Sequence, residues 1–100
     1  MKLQVNNDTL QVSGVKELSA TNANLFRDEV RTAFADSHRH IEVDLSQTRA
    51  VDSCGLGALV ALHKSAQHQG GTLRLLNPTP PVQQMLELTR MHRIFEIVQE

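Results

Sequence analysis

The sequence predicts an α/β fold, with helices packed on a mixed, mostly parallel sheet in the order ββαβαβαβ. Two patterns carry that expectation. Short segments alternate apolar and polar residues with the period of a half-buried strand, and between them apolar residues recur every three or four positions, the period of a helix face. Strands that alternate with helices of about 10–15 residues favour parallel pairing through right-handed crossovers. The 100 residues, 40% apolar and 21% charged, have the composition of one globular domain spanning 1–100.

Leu3-Gln4-Val5 and Leu10-Gln11-Val12 alternate as half-buried strands, and the turn formers Asn6-Asn7-Asp8-Thr9 join them in a hairpin, the one antiparallel element expected. Ala23, Phe26, Val30, Ala33 and Phe34 then fall on one helical stripe, with Thr21 or Asn22 as the N-cap; the pattern dissolves at Asp36-Ser37-His38-Arg39. Ile41-Glu42-Val43-Asp44-Leu45 reads as a strand and Ser46 to Ser53 as a loop. A second helix begins near Cys54 or Gly55, carries Leu56, Leu59, Val60 and His63 on one face, and stops at Gly70-Gly71. Thr72-Leu73-Arg74-Leu75-Leu76 is the next strand. After the corner Asn77-Pro78-Thr79-Pro80-Pro81, Thr79 caps a third helix with Pro80 in its first position, and Val82, Met85, Leu86 and Thr89 continue it. Ile94 to Val98 closes the chain as a strand.

Charge and composition narrow the function. Ten Lys and Arg against eleven Asp and Glu give a net charge of −1, and the cations are scattered, so a nucleic-acid partner is not expected. Aromatic residues make up 3%, with no Trp or Tyr on which to stack bases. The longest apolar run, Ala58 to Leu62, falls far short of the roughly 20 residues of a membrane span, so no direct membrane insertion is expected. The first residues lack the apolar core of a signal peptide, and the single cysteine fits a reducing compartment, so a cytoplasmic location is expected. A small chain with these properties suits protein recognition better than catalysis, and no cofactor is expected.

One stretch stands apart: Val51-Asp52-Ser53-Cys54-Gly55-Leu56-Gly57, an acid, a hydroxyl, a thiol and two glycines where a strand hands over to a helix. The free amides and positive dipole of a helix N-terminus favour negative charge there. A phosphate on a residue here would meet those amides and add about −1.5 to −2 charges to that corner.

At these residues the chain resembles the STAS family of anti-sigma factor antagonists and their relatives. Asp44-Leu45-Ser46 followed by Val51-Asp52-Ser53-Cys54-Gly55-Leu56-Gly57 is similar to the family's D-L-S and D-S-S-G-L-G block. The resemblance runs on through Gly70-Gly71, Asn77 to Val82 and Leu86 to Arg90. It implies a partner switch: the antagonist binds an anti-sigma factor or serine kinase protein, and phosphorylation at the start of the second helix breaks the complex. It implies docking through Asp52, Ser53, Cys54, Gly55, Leu56 and Gly57. The family's acceptor is the second serine, and here Cys54 holds that place; Ser53 holds the first and is the candidate acceptor. Around Gly14 to Ala23 the family's G-x-L-D-x-x-T-A pattern fits only with extra residues, so partner contacts of that loop are not carried over.

Other readings remain at this point. A constitutive STAS subunit on the ATPase of a lipid-transport ABC complex would share the fold and need no phosphate. A thiol enzyme or redox sensor would use Cys54, but His63 lies roughly 13 Å along the same helix and no cysteine-enzyme motif surrounds the thiol. Ser53 can serve simply as the N-cap, Asp52 can favour the helix dipole, Gly55 and Gly57 can allow tight packing against the sheet, and Cys54 can be a small buried or half-buried residue. His38 and His40 lack further ligands at metal-binding spacing and read as a solvated entry to a strand, so no metal site is expected. His63 reads as a semi-buried histidine at the edge of the core.

Overall fold

The computed structural model describes residues 1–100. The strands are β1 (Lys2–Asn6), β2 (Thr9–Ser13), β3 (Glu17–Leu18), β4 (His40–Asp44), β5 (Ala50–Val51), β6 (Leu73–Leu76) and β7 (Glu96–Val98); the helices are α1 (Ala23–Ala33), α2 (Ser53–His68) and α3 (Pro80–Leu88). The main sheet runs β1-β2-β4-β6-β7, antiparallel between β1 and β2 and parallel at every other pairing. This is the expected mixed, mostly parallel α/β arrangement.

The alternation of the strands sorts the sheet into two faces. Leu10, Ile41 and Leu73 stand in one register row and Val12, Val43 and Leu75 in another, and all six are at most 1% exposed. Phe26 and Val30 of α1, Leu59, Leu62 and Ala66 of α2, and Val82 and Leu86 of α3 complete that core. On the other face Gln4, Gln11, Glu42, Arg74 and Glu96 form one continuous row across all five strands. Gln11 donates to Glu42 at 3.2 Å, and the Arg74 guanidinium lies 3.3 Å from Glu42 and 3.4 Å from Glu96. Such half-exposed ion pairs contribute at most about 1 kcal/mol each.

Turn chemistry follows residue type. Asn7, in the two-residue hairpin turn, has φ 57°, a left-handed conformation that asparagine tolerates. α2 stops where expected: Gly70 has φ 75°, and its amide and that of Gly71 bond back to the Gln67 and Ala66 carbonyls. Gly71 is also a close approach, since a Cβ there would collide with the Arg39 carbonyl.

Several expectations need correction. All five residues of β1 are exposed, because the strand lies at the sheet edge and no helix closes over Leu3 and Val5. The stretch expected to be loop up to Ser53 contains β5, which pairs in parallel with β3 as a separate two-stranded sheet. Pairs this short leave no periodicity to read. Asn22 is the α1 N-cap by position, but its side chain bonds the Ser19 amide and the Glu17 carbonyl, not the first turn of the helix. The Thr79 hydroxyl likewise makes no cap and donates to the Thr48 carbonyl. The closing strand begins at Glu96, after a 3-10 turn at Met91–Arg93 and the buried Phe95. Of the two histidines expected at a solvated strand entry, His38 is instead buried and accepts from the Ala35 amide, while His40 is half-exposed and accepts from the Thr72 amide.

Candidate docking corner at the start of α2

The loop from β4 to α2 is fastened at each step. The Ser46 amide donates to Asp44, and the Arg49 amide donates to the Lys16 carbonyl. Thr48 is fully buried, and its hydroxyl donates to the Val15 carbonyl. β5 then pairs with β3, and the Asp52 amide extends the ladder by donating to the Leu18 carbonyl at 3.0 Å. The chain enters α2 with little freedom left.

Asp52 caps α2. Its backbone is extended, and one carboxylate oxygen accepts from the Gly55 amide at 3.0 Å. The second oxygen accepts from the Ala20 amide, also at 3.0 Å, and so ties the segment before α1 to the start of α2. These bonds, the Gly55 amide foremost, hold the Asp52 carboxyl below its ordinary value of 3.8; partial desolvation opposes them, and the Ala20 and Cys54 amides add to them.

Ser53 is therefore not the cap. It is the first helical residue, it is exposed, and the capping role that would otherwise explain it belongs to Asp52. Cys54 is exposed rather than buried or half-buried. The two glycines part company. A Cβ on Gly55 would lie 2.4 Å from the Leu18 carbonyl oxygen, so Gly55 lets the start of α2 sit directly on β3. A Cβ on Gly57 would meet nothing within 4 Å. Gly55 and Leu56 are buried, so of the six residues singled out in the sequence Ser53, Cys54 and Gly57 face solvent, Asp52 is half-buried, and the other two supply the seat.

Of the amides expected to attract an outside anion, that of Gly55 is already met by the Asp52 carboxylate. None of the three concavities on the surface is lined by residues 52–57. His63, toward the other end of α2, is half-buried as expected, with its ring edge-on to Phe95 at 5.8 Å. Sequence reasoning missed Leu18, Ala20 and Thr48, the residues that hold the corner. Only the spacing from Asp52 to Gly55, an acid three residues before an amide it can cap, offered a signal.

The surroundings of this corner match known proteins along the whole chain. The family model for the STAS domain matches residues 1–100. A Thermotoga maritima protein provisionally named an anti-sigma factor antagonist is 36% identical over 83 residues, covering 82% of this chain and 74% of that protein. A crystal structure of an antagonist from the same organism, likewise provisionally named, superposes with a TM-score of 0.88 at 30% identity, over 99% of this chain and 86% of that one. The anti-sigma factor antagonist SpoIIAA in its unphosphorylated form superposes with a TM-score of 0.85 at 20% identity, over 99% and 86% of the two chains, a likeness of fold. With a family match over its full length and relatives at this level of identity, the chain belongs to the STAS family of anti-sigma factor antagonists.

Proposed function

We propose that the chain is a protein-recognition module that works by partner switching, as an anti-sigma factor antagonist, with an anti-sigma factor or serine kinase protein as its partner in the cytoplasm. One observation carries the reading: the start of α2 presents Ser53, Cys54 and Gly57 to solvent on a seat fixed by Asp52, Gly55 and Leu18. A surface that is rigid, bare and without a cavity suits a polypeptide, because little conformational freedom has to be lost on docking. Gly57 leaves room for a partner backbone to approach the helix.

Ser53 is the proposed acceptor. It is exposed and next to a carboxylate that already takes the Gly55 amide, so a phosphate there would share the helix start with a like charge. It would add charge to a docking face and act by repulsion and desolvation. Cys54, in the family's acceptor position, supports a second reading, constitutive docking such as that of a structural subunit on a transporter ATPase, with no phosphate involved.

One pair of variants separates them. With the partner captured from native extract and its affinity measured against Ser53→Ala and Ser53→Asp, a switch loses binding with Asp alone. A phosphorylated fraction adds about 80 Da to the intact mass, the mass of one phosphate, and Ser53→Ala removes the adduct. Equal binding by both variants, with no such adduct, would leave the constitutive reading.

A further inference from the structure

A second surface lies away from the α2 corner. Of six exposed large hydrophobic residues, four lie in β1, α1 or just before β1: Met1 at 49%, Leu3 at 37%, Val5 at 52% and Leu25 at 63%. Two concavities that share Glu29 border α1, one toward Met1 and residues 14–17 and the other toward Leu3 of β1. One is lined by Met1, Leu25, Phe26 and Glu29, among others, and the next by Leu3, Asp28, Glu29 and Ala33. Leu3 and Val5 pair in register with Val12 and Leu10, so they stand on the core face of the sheet, beyond the point where α1 stops covering it. β1 is also an open edge: five residues without proline whose outer backbone groups pair with no strand. Edges of this kind are usually blunted by charge, proline or a bulge, and here the strand carries only Lys2.

The rim decides what fits. Glu29 lines both concavities and takes part in no ion pair; Glu17 stands at one end with Lys16, and Asp28 is engaged by Arg27 at 3.0 Å. A second copy of the chain pairing β1 with β1 would match Leu3 to Val5. It would also bring the unpaired Glu29 of each copy toward one seam, which is unfavourable. A strand whose basic residues fall opposite Glu29 and clear of Lys2 and Lys16 meets the same edge without that conflict.

We propose that the β1–α1 groove accepts an extended basic-and-apolar segment of a partner protein, added to β1 as a further strand. Its apolar side chains lie on Leu3, Val5 and Leu25, and its Lys or Arg side chains reach Glu29. Main-chain bonding to the edge supplies the attachment, and the acidic rim supplies the choice of partner. The proposal is independent of the reading of the α2 corner.

The test titrates the isotope-labelled full chain with a capped peptide of about nine residues alternating Lys and Val, and with a Glu and Val counterpart, followed by amide NMR. Saturable shifts confined to residues 2–6 and to α1 are expected with the Lys and Val peptide, weakening about tenfold in Glu29→Lys and as salt is raised. Leu3→Asp, in the exposed edge strand, is expected to abolish them while leaving the spectrum of the rest of the fold unchanged. Equal binding of the acidic peptide, shifts centred on residues 53–57, or indifference to Glu29→Lys would overturn the proposal. So would concentration-dependent dimerisation through β1 without peptide, which would make a second copy the occupant.

Discussion

The two glycines at the start of α2 make opposite predictions from the same substitution. In Gly55→Ala the new Cβ would stand 2.4 Å from the Leu18 carbonyl oxygen, 2.7 Å from the Leu18 Cβ and 2.9 Å from the Leu18 carbonyl carbon, where ordinary contact begins at 3.4 Å. None of these atoms can rotate aside. The helix start must move off β3 by about 1 Å, straining the bond from the Asp52 amide to the Leu18 carbonyl and the whole β3–β5 pair. Overpacking of this kind costs about 2–3 kcal/mol, and removing a helical glycine returns about 1, so the variant loses about 1–2 kcal/mol. Gly57→Ala meets open space and keeps only the gain, about 0.5–1 kcal/mol of added stability. For a domain of this size each kcal/mol moves the melting midpoint by about 4–8 °C. With no Trp or Tyr in the chain, far-ultraviolet circular dichroism is the natural signal for urea and thermal unfolding. A Gly55→Ala protein as stable as the parent would refute the packing argument, as would a Gly57→Ala protein that is clearly weaker.

The remaining expectations concern the fastenings of the corner and its exposed face. Because the fold holds the Asp52 carboxyl below its ordinary value of 3.8, its contribution is present above that pH and is lost as the pH falls through the lower folded value. Melting midpoints measured between about pH 6 and pH 3 are expected to fall less steeply in Asp52→Asn than in the parent, and an unchanged slope would count against the clamp. Thr48→Val keeps the shape but leaves the buried Val15 carbonyl without its donor, at an expected cost of about 1–2 kcal/mol in urea unfolding. Gly57→Ala, although more stable, is expected to bind the partner more weakly, because its methyl occupies the face left bare; undiminished affinity would place the contact elsewhere.

How much of this was legible in the sequence depends on how far each residue's role is local. The buried rows Leu10-Ile41-Leu73 and Val12-Val43-Leu75 come from strands whose alternation is written in the chain, and parallel pairing followed from the helices between them. The stop at Gly70-Gly71 was legible because a left-handed residue at a helix end leaves few choices of side chain. β3 and β5 were not, since two residues have no period and their pairing is set by Leu18 and Val51 meeting across 33 positions of chain. The exposure of β1 was hidden for a related reason. Leu3-Gln4-Val5 has the pattern of a half-buried strand, and only the position of α1 decides that its apolar side remains uncovered. At the α2 corner the composition pointed to the place, while the division of labour there rested on Leu18 and Ala20, residues from a different part of the chain.

That division of labour bears on how a switch can work at this site. A helix N-terminus with free amides would draw a phosphate inward and neutralise it, leaving the outer face nearly as it was. Here Asp52 already takes the Gly55 amide and, with its other oxygen, the Ala20 amide. A charge added at Ser53 would meet a carboxylate at its side and stay on the surface. Two like charges about 4 Å apart cost about 1 kcal/mol even in water and more where docking removes the water, so the penalty grows as a partner approaches. The clamp that makes the corner rigid enough to recognise is therefore the same group that would make it intolerant of further negative charge. On the proposed reading, the start of α2 needs no change of shape to release its partner.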